Sequence, residues 1–345
     1  MKVLITGGAG FIGINTAKYY LDKGDEVVLF DSLSRPGASV NLAWLQEQFP
    51  AVTFIEGDIR SETACNELFK ENRDTDFILH LAGQVAVTTS VLNPREDFEA
   101  NAAGTLNVLE AFRYYCPEAF FLYASTNKVY GKLTNFEIEE ENERYSFKEK
   151  EAGVSETQPL DFYSPYGCSK GAADQYVHDY ARIYNLKTTV FRQSCVYGYR
   201  QFGIEDQGWV AWFTIANVLN ENITIYGNGK QVRDVLFIDD LLRAFDLAYQ
   251  HQEKTSGKVY NIGGGSQNTL SLLELLKLLE INEKNLSYSE ARPGDQEIYV
   301  SDIKRAATDF DWAPEVSPNE GVERLKKWVL ENKEMLQTQL GRFAL

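Results

Sequence analysis

A doubly wound α/β architecture, a parallel sheet with helices on both faces and a smaller lobe after it, is what these 345 residues predict. Three observations carry that reading. Short apolar runs alternate with helical patterns through roughly the first 130 residues, which calls for βαβ crossovers. A glycine cluster stands between the first apolar run and the first helical pattern. From about residue 195 the rhythm changes and amphipathic helical stretches take over.

Residues 3–5, 27–30, 52–55, 77–80 and 119–123 read as buried parallel strands. Between them, 15–23, 41–49, 62–71 and 105–115 read as helices. The stretch 136–156 carries eight glutamates and little apolar periodicity. Residues 132–160 therefore read as a long surface excursion, either a solvated acidic loop or a lid or subunit contact. After it, 164–184 is a long helix opened by Ser164-Pro165, and 188–191 is a further strand. Then come a helix over 209–219, a strand over 223–226 and the turn Gly227-Asn228-Gly229. Residues 233–237 and 238–249 look like a strand and helix returning to the first domain, 270–279 and 319–334 like helices of the lobe, and 337–345 like a frayed end. The expected partition is 1–194 with 229–260 as a cofactor domain, and 195–228 with 261–345 as a substrate lobe.

The composition, 44% hydrophobic and 24% charged, is that of an ordinary globular protein. With 34 Lys plus Arg against 50 Asp plus Glu, the net charge is −16. Such a surface repels polyanions, which argues against a nucleic-acid or membrane-surface binder. Any phosphate site must be local, built from backbone amides and a few arginines. Cys65, Cys116, Cys168 and Cys195 show no C-x-x-C spacing, and only His80, His178 and His251 accompany them. That argues against a zinc site or a disulfide framework, and free thiols fit a cytoplasmic location. The early glycine cluster leaves no room for a signal peptide, and no apolar run is long enough for a membrane span.

Thr6-Gly7-Gly8-Ala9-Gly10-Phe11-Ile12-Gly13 puts glycines at 7, 10 and 13 between strand and helix. Glycines there permit a tight turn, close approach of amides to a pyrophosphate, and close helix–sheet packing. Asp31 ends the second strand, 18 residues after Gly13. A carboxylate there accepts from adenosine ribose hydroxyls and repels a 2′-phosphate, favouring NAD over NADP; Arg35 nearby counts the other way. Asp58, after the third strand, would meet the adenine edge.

Tyr166 and Lys170 lie four apart on one face of the long helix. A free phenol is a poor base at neutral pH, and a neighbouring ammonium favours its ionised form. Ser125 and Thr126, after the apolar run ending at Tyr123-Ala124, would supply a hydroxyl partner. His80 ends a strand and is expected to pack beside the cofactor rather than react.

Together with Asp58-Ile59, His80-Leu81-Ala82-Gly83, Asn101-Ala102-Ala103-Gly104-Thr105, Ser125-Thr126-Asn127-Lys128-Val129-Tyr130-Gly131, Ser164-Pro165-Tyr166-Gly167-Cys168-Ser169-Lys170 and Arg292-Pro293-Gly294-Asp295, these motifs run in order along nearly the whole chain. In them the chain resembles the extended short-chain dehydrogenase/reductase family of nucleotide-sugar enzymes. The resemblance implies a Rossmann domain holding NAD tightly, regenerated in each cycle, and a smaller C-terminal sugar-nucleotide lobe. It makes Tyr166 the catalytic acid-base, Lys170 its modulator and ribose ligand, and Thr126 the hydroxyl partner. It assigns the cofactor to Gly7, Gly10, Phe11, Ile12, Gly13, Asp31, Ser34, Asp58, Ile59, Leu81, Ala82, Gly83, Gln84, Asn101, Tyr166, Lys170 and Gln193. The substrate falls to Thr88, Thr126, Asn127, Gln207, Arg233 and Arg292, the two arginines on the diphosphate, and no metal is implied. Arg200 is a surface ion-pair former or a further substrate contact. Cys195 stands where the family often has asparagine.

Dehydratases of the family carry Asp-Glu after the threonine, where this chain has Asn127-Lys128, so dehydration is set aside. Epimerisation by transient oxidation remains. Gln84–Ser90, 161–176 and Asp206-Gln207-Gly208-Trp209 resemble the 2-epimerases of CDP-3,6-dideoxyhexoses within that family. The residues alone leave C2 and C4 chemistry, and a 4-reductase, open. By resemblance, a homodimer or homotetramer forms through the helix of Tyr166 and the one near Thr105.

Overall fold

The computed structural model describes residues 1–148, 153–205, 207–291 and 296–343, the side chains of 340–343 excepted. In chain order the first part runs β1 (Lys2–Thr6), α1 (Phe11–Asp22), β2 (Glu26–Asp31), α2 (Ala38–Gln48), β3 (Thr53–Glu56), α3 (Glu62–Glu71), β4 (Phe77–His80), α4 (Val87–Leu92), α5 (Pro94–Phe98), α6 (Gly104–Tyr115) and β5 (Phe120–Thr126). Next come β6 (Ile138–Glu140), β7 (Tyr145–Phe147), α7 (Ser164–Tyr184), β8 (Thr188–Gln193), β9 (Val196–Tyr197), α8 (Trp209–Leu219), β10 (Ile223–Tyr226), β11 (Val232–Asp234), β12 (Leu236–Phe237) and α9 (Ile238–Gln250). The rest is α10 (Gln252–Thr255), β13 (Lys258–Ile262), β14 (Thr269–Ser271), α11 (Leu272–Leu278), β15 (Leu286–Ser289), β16 (Ile298–Tyr299), α12 (Lys304–Phe310), α13 (Pro318–Glu331) and α14 (Lys333–Phe343).

Seven parallel strands form one sheet in the order β13-β8-β5-β4-β1-β2-β3. Its strands are apolar on both faces because helices cover both: Leu4, Val28, Ile78 and Phe121 face one buried cluster, Val3, Leu29, Leu79 and Phe120 the other. The fold is Rossmann-like. Strand order reverses between β1 and β4, and ligands of open α/β sheets lie outside the C-terminal strand ends at such a reversal. Thr6, Asp31, His80, Thr126 and Gln193 all end strands on that side, with Thr6 level with His80 and Thr126 level with Gln193.

Three expectations are corrected. Residues 138–147 form an antiparallel hairpin instead of a loop. Its acidic side chains are held by cations on distant segments: Lys230 bonds Glu140 at 2.6 Å, and Lys277 pairs with Glu143. Arg144 bonds Glu274 at 3.0 Å and Thr269 at 2.7 Å. Residues 233–237 are not one strand. β11 joins β14 and β16, while β12 joins β9, and the break follows Asp234, whose buried carboxylate accepts from Ser194 Oγ (2.6 Å), Gly265 N and Ser301 N (3.1 Å each). The strand that joins the large sheet is β13, beside β8. The end expected to fray is helical to Phe343, with Leu336 buried against the core.

Candidate active site

The glycine turn leaves no space for side chains. Gly7 has φ +70°, and a Cβ there would stand 2.7 Å from Ala82 N; one on Gly13 would stand 2.2 Å from the Gly7 carbonyl oxygen. α1 starts directly after Gly10, with no side chain capping it and no acid in its first turn. Its first amides therefore remain open for an anion. Asp31 braces this turn, accepting from Ala9 N at 3.0 Å and Leu33 N at 2.8 Å. Burial raises its pKa, and these amide bonds oppose the rise. Asp58 is held by Arg60, which donates from its backbone (2.8 Å) and guanidinium (2.8 and 2.6 Å). Ser34 is exposed and shares a hydroxyl contact with Ser32.

On the other flank of the reversal, Leu81 N donates to Thr6 O at 3.1 Å, carrying Ala82 and Gly83 over the end of β1. A Cβ on Gly83 would meet Asn101 Oδ1 at 2.6 Å. That amide oxygen accepts from Gln84 N at 2.9 Å, and the Gln84 side chain folds back on Ala86. Asn101 itself sits in a π-helical turn, Glu99–Ala103, a local widening common at functional sites. His80 is fully buried, bridging Thr6 Oγ1 (2.6 Å) and Thr105 Oγ1 (3.0 Å). Burial and then the Lys170 charge push its pKa down to about 3, so it stays neutral and packs as expected.

Tyr166 opens α7 after Ser164, whose φ of +82° is strained for a residue with a side chain, and Pro165, preset for a first helical turn. Ser90 Oγ accepts from Tyr166 N at 3.1 Å, pinning the helix start to α4. The Thr126 hydroxyl is close enough to the Tyr166 phenol to favour its ionised form. Lys170, one turn on, donates to Ala124 O at 2.6 Å and lies 4.3 Å over the Tyr123 ring. Burial pushes the Tyr166 phenol up to about 12, against the nearby Thr126 hydroxyl and the Arg35 charge, which lower it. Burial likewise pushes Lys170 down to about 7, opposed by Asp174 and Asp97. The expected ease of ionisation is thus not built from Lys170 alone. Its ammonium is bonded to a strand carbonyl, and the charge of Arg35 also favours the ionised phenol.

Beyond the triad, Asn127 Nδ2 donates to Gln296 Oε1 at 3.3 Å, and Gln296 donates on to Gly131 O. Thr88 Oγ1, Gln193 Nε2 and Gln207 Oε1 are buried without a hydrogen-bond partner. Unsatisfied buried groups are costly, and these three are among the residues predicted to touch cofactor or substrate, which fits a ligand that completes them. The Arg233 guanidinium uses one bond, to Val232 O at 2.8 Å, and lies near Cys195. Arg200 forms no surface ion pair among the described residues: its guanidinium stacks 3.8 Å from the Trp44 ring centroid. Arg292 and Asp206 lie outside the described residues. No cluster of metal-binding side chains and no helix long and apolar enough to cross a membrane occurs among the described residues.

Residues 3–263 match the NAD dependent epimerase/dehydratase family. The chain belongs to this family. Its cofactor is NAD, and the glycine cradle and orphaned Gln193 amide fit it. The chain is 48% identical to the CDP-paratose 2-epimerase of Salmonella typhi, over 95% of this chain and 99% of the relative. Among solved structures it resembles the UDP-glucose 4-epimerase of Thermotoga maritima with UDP-glucose, at TM-score 0.81 and 31% identity, over 96% and 100% of the two chains. It also resembles the UDP-glucuronic acid 4-epimerase of Bacillus cereus with UDP-glucuronic acid and NAD, at TM-score 0.80 and 28% identity, over 96% and 99%.

Sequence reasoning had no signal for Arg35 beside the phenol, Ser90 under the helix start, or Gln296 against Asn127. Each is brought in by a segment remote in sequence from the residue it serves.

Proposed function

We propose that this chain inverts C2 of a CDP-activated deoxyhexose, of the CDP-paratose to CDP-tyvelose type, by transient oxidation to a 2-keto sugar. The observation that carries the reading is the placement of Tyr166 and Lys170, one turn apart at the start of α7 and pinned to Ser90 and Ala124, beside Thr126 at the end of β5 and the glycine cradle after β1. Similarity to the Salmonella enzyme supports C2 and the cytidine nucleotide. NAD, when bound, supplies the hydride acceptor for oxidation at C2 and the donor for return to the opposite face.

Tyr166, neutral at rest, is set to give its proton to a keto oxygen; taking one from the sugar hydroxyl needs added positive charge nearby, which Lys170 and Arg35 help provide. Thr126 orients the phenol and accepts from Lys128 N at 3.2 Å, keeping its hydroxyl directed into the site. Asn127, amide-bonded to Gln296, offers no carboxylate for C5 proton removal, which supports epimerisation over dehydration. Arg233 grips the diphosphate, with Arg292 as its partner. Gln193, Thr88 and Gln207 find their missing partners on cofactor and substrate. Residues 1–194 with 229–260 serve the cofactor and the remainder the sugar nucleotide. Two copies pair through α6 and α7, where Tyr114, Tyr176 and Ile183 stand exposed, giving a cytoplasmic homodimer or a tetramer built from it.

The test is incubation with CDP-paratose without added cofactor, following C2 and C4 by NMR. Inversion at C2, abolished in Tyr166→Phe while NAD stays bound, is expected. Inversion at C4 alone would remove the C2 assignment, and an active Tyr166→Phe would remove the acid-base assignment.

A further inference from the structure

Behind the active site lies a carboxylate that the reaction as described does not use. Asp97, near the end of α5, is 1% exposed. Its oxygens accept from Ser169 Oγ at 2.5 Å and Asn101 Nδ2 at 3.2 Å, both neutral groups. A buried carboxylate with only neutral partners is costly and needs a compensating cation within electrostatic reach.

The charges around it identify that cation. Asp174 is already matched, since Arg192 donates to both of its oxygens, at 2.8 and 2.9 Å, with both side chains buried. Lys170 is also buried, and its ammonium is bonded to a carbonyl and stacked on a ring, with no carboxylate in contact. The groups facing it are His80 from β4, Tyr123 from β5, Asp174 from α7 and Asp97 from α5. His80 is neutral, and Asp174, the larger counter-charge to Lys170, is shared with Arg192, which leaves Asp97 as the acid facing Lys170 with no cation in contact. Ser169 and Asn101 hold Asp97 on this side of the site: a Cβ on Gly83 would stand 2.6 Å from Asn101 Oδ1 and 3.9 Å from Lys170 Nζ, so the amide that bonds Asp97 and the ammonium line the same spot. The charge of Asp97 acts on the Tyr166 phenol as well, raising it, while that of Arg35 lowers it.

We propose that Asp97 is a positioning residue for the epimerase reaction, acting through Ser169 and Asn101 as the buried counter-charge that keeps Lys170 an ammonium beside Tyr166. This rests on the assignment of Tyr166 and Lys170 to catalysis. Asp97 touches neither substrate nor cofactor; it holds the charge state of the group that does.

The experiment is the pH profile of kcat for Asp97→Asn, with NAD content, KM and melting temperature measured on the same protein. Removing the negative charge makes the ammonium easier to deprotonate. The alkaline limb should therefore move to lower pH by about one unit, with NAD retained and KM within about twofold of the parent. Asp97→Glu should recover part of the shift. A fall in kcat that tracks melting temperature, with the limb unmoved, would mean a purely structural role and overturn the proposal. If Asp97→Asn does not fold, Ser169→Ala removes the hydroxyl that holds Asp97 in place; a smaller shift of the same sign is expected, and an unmoved limb overturns the proposal equally. Lys170→Met separates the two claims. Full activity there defeats the underlying catalytic assignment, whereas loss there with an unmoved limb in Asp97→Asn defeats only the role given to Asp97.

Discussion

Adding one methyl group at Gly13 probes the phosphate turn directly. In the structure that methyl would lie 2.2 Å from the Gly7 carbonyl oxygen, 2.7 Å from Gly8 Cα and 2.9 Å from Gly8 C. All three are backbone atoms, so no side chain can swing aside. Ordinary contact needs about 3.5 Å, so α1 and the turn must part by roughly 1 Å. Overpacking of this kind costs about 1–3 kcal/mol, and at roughly 2–4 °C per kcal/mol the melting temperature of Gly13→Ala should fall by several degrees. The same movement pulls the open amides of α1 out of line, so NAD released on denaturation, measured at 260 nm, should fall at least tenfold per mole of protein. Gly24→Ala is the control. Gly24 has φ +82°, but a methyl group there would meet nothing within 4 Å, so this variant should lose about 1–2 kcal/mol from backbone strain and keep its NAD. A Gly13→Ala protein that retains NAD at the parental level, or a Gly24→Ala protein that loses it equally, would refute close packing as the reason for the glycine.

Two further outcomes follow from buried charge. Asp174→Ala strands Arg192, 4% exposed, without its carboxylate and frees Ser125 Oγ, so urea unfolding should show a loss of about 3–5 kcal/mol; under 1 kcal/mol would mean Arg192 finds another partner. His80, held near 3 when folded against 6.5 free, leaves the unfolded chain binding one more proton between those values. Its contribution is complete above about pH 6.5 and is lost at up to about 1.4 kcal/mol per unit as pH falls toward 3. The pH dependence of stability between pH 7 and 5 should flatten in His80→Gln, and equal slopes would show that His80 is not the responsible group.

Much of the cofactor half was legible because its signals are local. The glycine spacing, the carboxylate at the end of β2, the Ser164-Pro165 helix start and the four-residue step from Tyr166 to Lys170 each follow from backbone geometry within a few residues. The long acidic stretch misled for the opposite reason: its hairpin is held by Lys230 and by Arg144 on Glu274, ion pairs spanning 90 and 130 residues. Residues 233–237 misled because a continuous β-type run carries no mark of where a buried carboxylate such as Asp234 divides it between two sheets.

By itself, then, the order of residues determined the doubly wound sheet, the NAD turn and the helix that carries Tyr166 and Lys170 on one face, since strand periodicity, glycine spacing and helix pitch are short-range properties. Only the folded chain decided the electrostatics of that phenol. Whether Tyr166 and Lys170 hold their protons depends on how far burial excludes water and on which remote charges, Arg35 and Asp97, join Asp174 of the same helix at their side. Those distances exist only once the sheet, α5 and α7 have packed.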